Sequence, residues 1–164
     1  MFSKTLLVEA SRLQGICREK KIMLASAESC TGGLIAALLT ELAGSSAFFE
    51  RGFVTYSNKA KTALLGVPAA LIERHGAVSA PVAKAMAEGA VKRSKAHLSI
   101  AVTGIAGPGS EGKKPVGLVY IGIAAKKGKT AVVKCRFKGD RSSIRLNTVK
   151  KAMALLKARL ARFS

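Results

Sequence analysis

The stretch IMLASAESCTGGLIAALLTELAG, residues 22–44, predicts a strand, a turn and a helix in direct succession. Its first seven residues, IMLASAE, are mostly apolar and are typical of a short strand. The polar residues and glycines that follow predict a turn, and the apolar residues after Thr31 predict a helix that ends at Gly44. A strand that passes through a turn into a helix is the building unit of α/β proteins.

Helix-like and strand-like segments alternate along the rest of the chain. Apolar residues that recur at every third or fourth position predict a first helix over about residues 3–19. Capping residues and apolar periodicity predict four more helices, at 58–66 with Asn58 as N-cap, at 68–76, at 79–96 with Ser79 as N-cap, and from about Asp140 onward. Segments rich in β-branched and aromatic residues predict four more strands, within 48–57, 98–107, 116–128 and 130–139. This order predicts an α/β fold, a three-layer α/β/α sandwich with a mixed, mostly parallel sheet.

Length and apolar content set limits on the architecture. The 164 residues are 49% hydrophobic, which is enough for one compact domain over residues 1–164. No stretch approaches the roughly 18 uninterrupted apolar residues that a membrane span requires, and the first apolar run is too short for a signal peptide. We therefore expect no membrane association.

Cysteine and histidine spacing argues against a metal centre. Cys17, Cys30 and Cys135 are far apart and form no C-x-x-C pair, so the sequence indicates neither a disulfide framework nor a thiolate metal site and fits a reducing cytoplasm. His75 and His97 have no carboxylate at a spacing typical of metal ligands. The sequence predicts no metal and no cofactor.

The charge of the chain is strongly basic. There are 28 Lys and Arg against 9 Asp and Glu, a formal net charge of +19, and Asp140 is the one acidic residue after Glu111. Such a surface favours contact with phosphates, so weak, nonspecific nucleic-acid binding is one functional hypothesis. Because aromatic residues are 5% of the chain and do not interleave with basic ones, the basic surface is better interpreted as a solvated face.

Three polar, glycine-containing loops follow predicted strands and indicate a ligand site. They are SAESCTGG at 26–33, TGIAGPGSEGKKPVG at 103–117 and KGDRSS at 138–143. Ligands of α/β proteins bind at the carboxyl ends of strands, so we expect these loops to share one crevice. A helix that starts near Thr31 would aim backbone N–H groups at an anion beside Ser29 and form an oxyanion hole there. From the residues alone, Ser29 is either a helix N-cap or a nucleophile.

Six ordered blocks resemble one family over about residues 5–160. The chain is similar to the CinA C-terminal-domain family in AESCTGG (27–33), ERGFVTYSNKAK (50–61), HGAVSAPV (75–82), TGIAGPGS (103–110), KPVGLVY (114–120) and GDR (139–141). The resemblance implies a three-layer α/β/α fold and a nicotinamide-nucleotide amidohydrolase. It implies hydrolysis of nicotinamide mononucleotide to nicotinate mononucleotide and ammonia without a cofactor, by a homo-oligomer. An amidohydrolase of another carboxamide is the other enzymatic hypothesis.

The resemblance also implies the catalytic roles. Ser29 would attack the carboxamide, neutral Lys61 would accept the serine proton, and Tyr56 would relay that proton or hold the lysine. A lysine acts as a base near neutral pH only when burial or neighbouring cations lower its pKa. Without the resemblance, Lys59 and Lys61 are equivalent surface charges, and Cys30 is an alternative nucleophile.

Substrate contacts are predicted in the same loops. Glu28 either orders its loop or positions the lysine, and the phosphate binds either the loop at 103–110 or Arg141. The predicted substrate-binding residues are Glu28, Cys30, Thr31, Gly32, Gly33, Thr103, Gly104, Gly107 and Arg141.

Overall fold

The computed structural model describes residues 1–163, which form one sheet covered by helices on both faces. The strands are β1 (Leu24–Glu28), β2 (Phe49–Val54), β3 (Leu98–Gly104), β4 (Leu118–Ala125) and β5 (Ala131–Arg136). The helices are α1 (Lys4–Glu19), α2 (Leu34–Thr40), α3 (Asn58–Leu65), α4 (Ala69–His75), α5 (Ala80–Lys92) and α6 (Arg141–Ala161). A short 3-10 turn, Ser45–Ala47, leads into β2.

The sheet is mixed, and its strand order is β2-β1-β3-β4-β5. Strand β1 pairs in parallel with both β2 and β3, whereas β4 is antiparallel to β3 and to β5. Four strands therefore point in one direction and β4 is reversed. The predicted α/β fold with a mixed sheet is confirmed.

Two apolar cores bury the two faces of the central strands. On one face, Leu24 and Ile100 belong to the core formed with α1, α2 and α6. On the other face, Ala27 and Ala101 belong to the core formed mainly with α3, α4 and α5. Because side chains alternate along a strand, β1 and β3 contribute to both cores, which explains their nearly continuous apolar sequence.

One glycine allows the close packing of α5 on the sheet. A Cβ atom at Gly122 in β4 would lie 2.5 Å from the carbonyl oxygen of Ala83 in α5. Any larger residue would push the helix away from the strand, so the missing side chain sets this distance.

Two predicted helix starts differ from the structure. Helix α2 begins at Leu34 and ends at Thr40, because Thr31, Gly32 and Gly33 form a turn in which Gly33 has φ of 99°. Helix α3 is capped by Ser57 instead of Asn58, since the Ser57 side chain accepts the N–H of Ala60 at 3.0 Å.

The other two predicted caps occupy the predicted positions. Asp140 caps α6 by accepting the N–H of Ser143 at 2.8 Å. Ser79 is the N-cap of α5, but its hydroxyl donates backward to the Gly76 carbonyl at 2.8 Å instead of accepting a helix N–H.

The parallel strands bring several loops to one edge. The carboxyl ends of β1, β2 and β3 meet there, as the shared directions of β1–β2 and β1–β3 require. Helix α6 also begins close by, because Arg141 contacts the loop after β3. No helix among residues 1–163 is long and apolar enough to cross a membrane.

Candidate active site

A cavity of about 290 Å³ lies at this carboxyl edge. It is lined by the turn after β1, the segment after β2, the loop after β3 and the first residue of α6. Eight of the predicted site residues line it: Ser29, Cys30, Tyr56, Lys61, Thr103, Gly104, Gly107 and Arg141. As expected from the three loops, residues distant in sequence share one crevice.

Ser29 and Lys61 form the most direct contact in this cavity. The Nζ atom of Lys61 lies 3.0 Å from Ser29 Oγ. It also lies 2.9 Å from the Thr55 carbonyl oxygen and 3.4 Å from the Tyr56 carbonyl oxygen. Three oxygen atoms therefore surround the amine, and one of them is the serine hydroxyl.

Lys61 is buried without a carboxylate in contact. The residue is 1% exposed. Among residues 1–163, no carboxylate oxygen lies within 4.0 Å of its amine nitrogen. Burial lowers the pKa of Lys61 from its ordinary value of 10.5, more than the nearby Cys30 and Glu111 raise it. A lysine in this environment carries a larger neutral fraction near pH 7 than an exposed lysine.

Local structure fixes both groups. Ser29 directly follows β1, and its backbone N–H donates to the Val102 carbonyl of β3 at 3.1 Å. Lys61 lies in the first turn of α3, where its N–H donates to the Ser57 carbonyl at 3.1 Å. A strand end and a helix start, both held by backbone hydrogen bonds, thus determine the distance between the two side chains.

Glu28 is the acceptor that organises the turn after β1. Its buried carboxylate accepts the N–H groups of Ile35 at 2.8 Å and Ala36 at 3.0 Å and the Thr31 hydroxyl at 2.6 Å. These contacts order the loop, which is one of the two roles that the sequence predicts for Glu28. They also occupy the first N–H groups of α2, so the expected oxyanion hole at that helix start is not available to a ligand.

Four predicted substrate-binding residues lie outside the cavity lining. Glu28, Thr31, Gly32 and Gly33 are not among the residues that line the cavity within the described chain. The two glycines have φ of 57° and 99°, which an L side chain rarely adopts. Their contribution is to shape the turn that carries Ser29.

Tyr56 contacts Lys61 through its backbone and not through its phenol. The side chain is 62% exposed, and its hydroxyl accepts a hydrogen bond from the Arg141 guanidinium at 3.1 Å. Arg141 also donates to the Gly107 carbonyl at 2.6 Å. The phenol, the guanidinium and the loop after β3 thus meet at the cavity.

Cys30 and Thr103 line the cavity in less reactive settings. Burial raises the pKa of the Cys30 thiol to about 12, so the nucleophilic thiolate is scarce at neutral pH. The Thr103 hydroxyl donates to the Ala77 carbonyl at 2.8 Å. A Cβ atom at Gly104 would lie 2.6 Å from the Val119 side chain, so glycine is required by packing there.

Arg145 is a site residue that the sequence analysis missed. Its Nε donates to the Cys30 carbonyl at 3.2 Å and its Nη2 to the Thr31 carbonyl at 2.9 Å. The guanidinium therefore ties α6 to the turn that carries Ser29. The sequence feature that could have identified Arg145 is its position four residues after Arg141, because this spacing places both residues on one side of a helix.

The described residues contain no cluster of three or more His, Cys, Asp or Glu side chains with metal-binding geometry.

Comparison with known proteins assigns the family. The model of the CinA C-terminal domain matches residues 8–160. The chain belongs to the CinA C-terminal domain family. A CinA-like protein from Geobacter sulfurreducens is 54% identical over 144 residues, which cover 87% of this chain and 35% of that protein. The chain thus spans about a third of the length of the CinA-like proteins that it matches.

A relative that the chain covers more fully carries an enzyme name. The Enterobacter agglomerans protein called nicotinamide-nucleotide amidohydrolase PncC is 53% identical over 121 residues, 73% of this chain and 74% of that protein. Among solved structures, the competence/damage inducible protein CihA from Agrobacterium tumefaciens has a TM-score of 0.93 at 46% identity, covering 96% of this chain and 97% of that one. A CinA superfamily protein from Klebsiella pneumoniae has a TM-score of 0.92 at 34% identity, covering 96% and 99%.

Proposed function

We propose that the chain is an amidohydrolase that converts nicotinamide mononucleotide to nicotinate mononucleotide and ammonia. The observation that carries the proposal is the 3.0 Å contact between Ser29 Oγ and a buried, carboxylate-free Lys61 amine. The name of the Enterobacter relative supports the choice of substrate.

In this mechanism, neutral Lys61 is the base that activates Ser29. A neutral amine has two N–H donors and one lone pair. The Thr55 and Tyr56 carbonyls at 2.9 and 3.4 Å accept the two N–H groups, which leaves the lone pair for the hydroxyl proton of Ser29. The backbone of residues 55–56 thus orients the base toward its nucleophile.

The reaction then proceeds in two halves. Ser29 Oγ bonds to the carboxamide carbon while its proton passes to Lys61 Nζ. The tetrahedral intermediate collapses as Nζ returns that proton to the nitrogen, which leaves as ammonia and gives an acyl ester on Ser29. A water molecule attacks the ester carbon and gives a proton to Nζ. Nζ passes this proton to Ser29 Oγ as the ester bond breaks, and the released carboxylic acid loses its own proton to solvent.

The backbone N–H of Cys30 is our candidate oxyanion donor. It follows the nucleophile directly, and among residues 1–163 no backbone carbonyl accepts a hydrogen bond from it. Arg145 holds the Cys30 carbonyl on the other side of the same residue, which fixes the orientation of the neighbouring peptide groups. A preorganised donor of this kind stabilises the developing negative charge.

Arg141 is our candidate for the substrate phosphate. It lines the cavity mouth and uses two of its guanidinium nitrogens on the Gly107 carbonyl and the Tyr56 hydroxyl. A guanidinium has five N–H donors, so donors remain for a phosphate oxygen.

The test is ammonia release by the purified protein from a panel of carboxamides, with and without a chelator. The panel contains nicotinamide mononucleotide, nicotinamide riboside, nicotinamide and glutamine, and Ser29→Ala is run beside the wild type. We expect chelator-independent release from nicotinamide mononucleotide alone, lost in Ser29→Ala. Release from another carboxamide only would overturn the substrate, and no release by folded protein from any of them would overturn the reaction.

A further inference from the structure

A second cleft lies at the opposite edge of the sheet from Ser29. Its volume is about 500 Å³, and we call the residues that line it the basic cleft: His97, Lys126, Lys127, Arg159, Arg162 and Phe163. It lies where β3 begins and β4 ends. Since β3 has seven residues, about 20 Å of strand separates this cleft from the candidate active site.

The charged side chains that line the basic cleft within residues 1–163 are all positive. Four of its six residues are Lys or Arg, and no Asp or Glu is among them as far as the described chain shows. None of these four cations takes part in the ion pairs found within residues 1–163. Like charges around one concavity repel one another, and a bound anion would remove that repulsion.

Directional donors in the cleft are held by the backbone. The Nδ1 atom of His97 accepts the N–H of Met23 at 2.9 Å, so Nε2 carries the proton of the neutral ring and is its donor. Arg159 donates to the Lys129 carbonyl at 3.2 Å with one arm of its guanidinium. The rest of that guanidinium remains available for a ligand.

One aromatic ring completes the lining. Phe163 is half-buried, and its carbonyl accepts a hydrogen bond from Lys20 Nζ at 2.7 Å, which ties the end of α6 to the end of α1. An apolar ring beside several cations suits a ligand that combines phosphates with a planar group.

We propose that the basic cleft is a binding site for a small polyphosphate ligand of the nucleoside triphosphate class. Its volume falls within the range of small-molecule pockets, roughly 300–1,000 Å³. The large exposed apolar side chains, Met1, Val8, Val54, Tyr56 and Leu64, all lie outside it, which disfavours insertion into a lipid surface. The site is independent of amide hydrolysis and does not require it.

The test is isothermal titration of the full chain with inorganic tripolyphosphate and with ATP at one fixed ionic strength. We expect one site per chain that binds both probes, with tighter binding of ATP because Phe163 contacts the base. Lys127→Glu and Arg162→Glu change exposed residues, and each should weaken both probes about tenfold or more. Lys92→Glu, at the end of α5 and outside the cleft lining, is the charge-matched control and should leave the affinity within about threefold.

Two comparisons separate binding at the basic cleft from binding in the active-site cavity and from nucleic-acid binding. Arg141→Ala should bind both probes like the wild type, since Arg141 is the phosphate candidate of the active-site cavity and that cavity is at the other edge. The proposal would be overturned if neither tripolyphosphate nor ATP bound, or if Lys127→Glu and Arg162→Glu both bound them with the wild-type affinity. Duplex DNA bound through Lys127 and Arg162, with no binding of either small probe, would also overturn it and assign this surface to nucleic acid.

Discussion

Replacement of Glu28 by alanine should destabilise the protein strongly. The carboxylate accepts two α2 N–H groups and the Thr31 hydroxyl inside the core, all at 3.0 Å or less. In Glu28→Ala these three donors lose their acceptor at once. A buried donor without a partner costs about 1–3 kcal/mol, so a loss of roughly 3–6 kcal/mol in the free energy of unfolding is expected after partial relaxation.

Chemical and thermal denaturation are the assays for this prediction. For a domain of this length about 1 kcal/mol corresponds to roughly 2–4 °C in Tm, so Tm should fall by roughly 6–24 °C. Glu41→Ala, at the exposed end of α2, is the control and should change stability by less than about 0.5 kcal/mol. If Glu28→Ala kept wild-type stability and lost only affinity for substrate, Glu28 would be a substrate ligand and our structural assignment would be refuted.

Three further predictions concern the residues around Ser29. Because burial lowers the pKa of Lys61, the unfolded chain binds more protons than the folded one between that lowered pKa and 10.5, and stability gains a contribution that rises with pH there. Lys61→Met should remove this contribution, so the urea unfolding midpoint of the wild type should rise with pH relative to that of the variant between neutral pH and pH 10.5. Midpoints that change with pH in the same way in both proteins would contradict this prediction. Arg145→Ala frees the Cys30 and Thr31 carbonyls and should lower kcat for ammonia release about tenfold or more, with a smaller change in KM. An unchanged kcat would show that the turn needs no support from α6. Cys30→Ala keeps the backbone N–H and should retain most of the wild-type rate, whereas complete loss of ammonia release would favour the thiol as nucleophile.

The fold was largely predictable because periodicity and caps act locally. The alternation of strands and helices fixed the α/β class, and the Asp140 cap of α6 lies where it was predicted. The error at α2 arose because Thr31 can begin either a helix or a turn. The choice depends on Glu28, whose carboxylate binds N–H groups seven and eight residues further along the chain.

The candidate site was predictable in position and less so in its contacts. Lys59 and Lys61 differ by about 200° around α3, so one is exposed and the other buried, and sequence alone does not orient the helix. Tyr56 was predicted to relay the serine proton or to hold the lysine, and its carbonyl oxygen lies 3.4 Å from Lys61 Nζ, a contact that depends on the backbone and not on the residue type. Homo-oligomer formation, a cytoplasmic location and a single domain over residues 1–164 stay predictions.

The central claim is that Lys61 is the base for Ser29, and kcat for ammonia release from nicotinamide mononucleotide in Lys61→Met tests it most directly. Lys59→Met, two residues away on the exposed side of α3, is the matched control. We predict that kcat falls about 10²–10⁴-fold in Lys61→Met, in a protein that remains folded, and stays near the wild-type value in Lys59→Met. A Lys61→Met variant that releases ammonia at the wild-type rate would contradict the account.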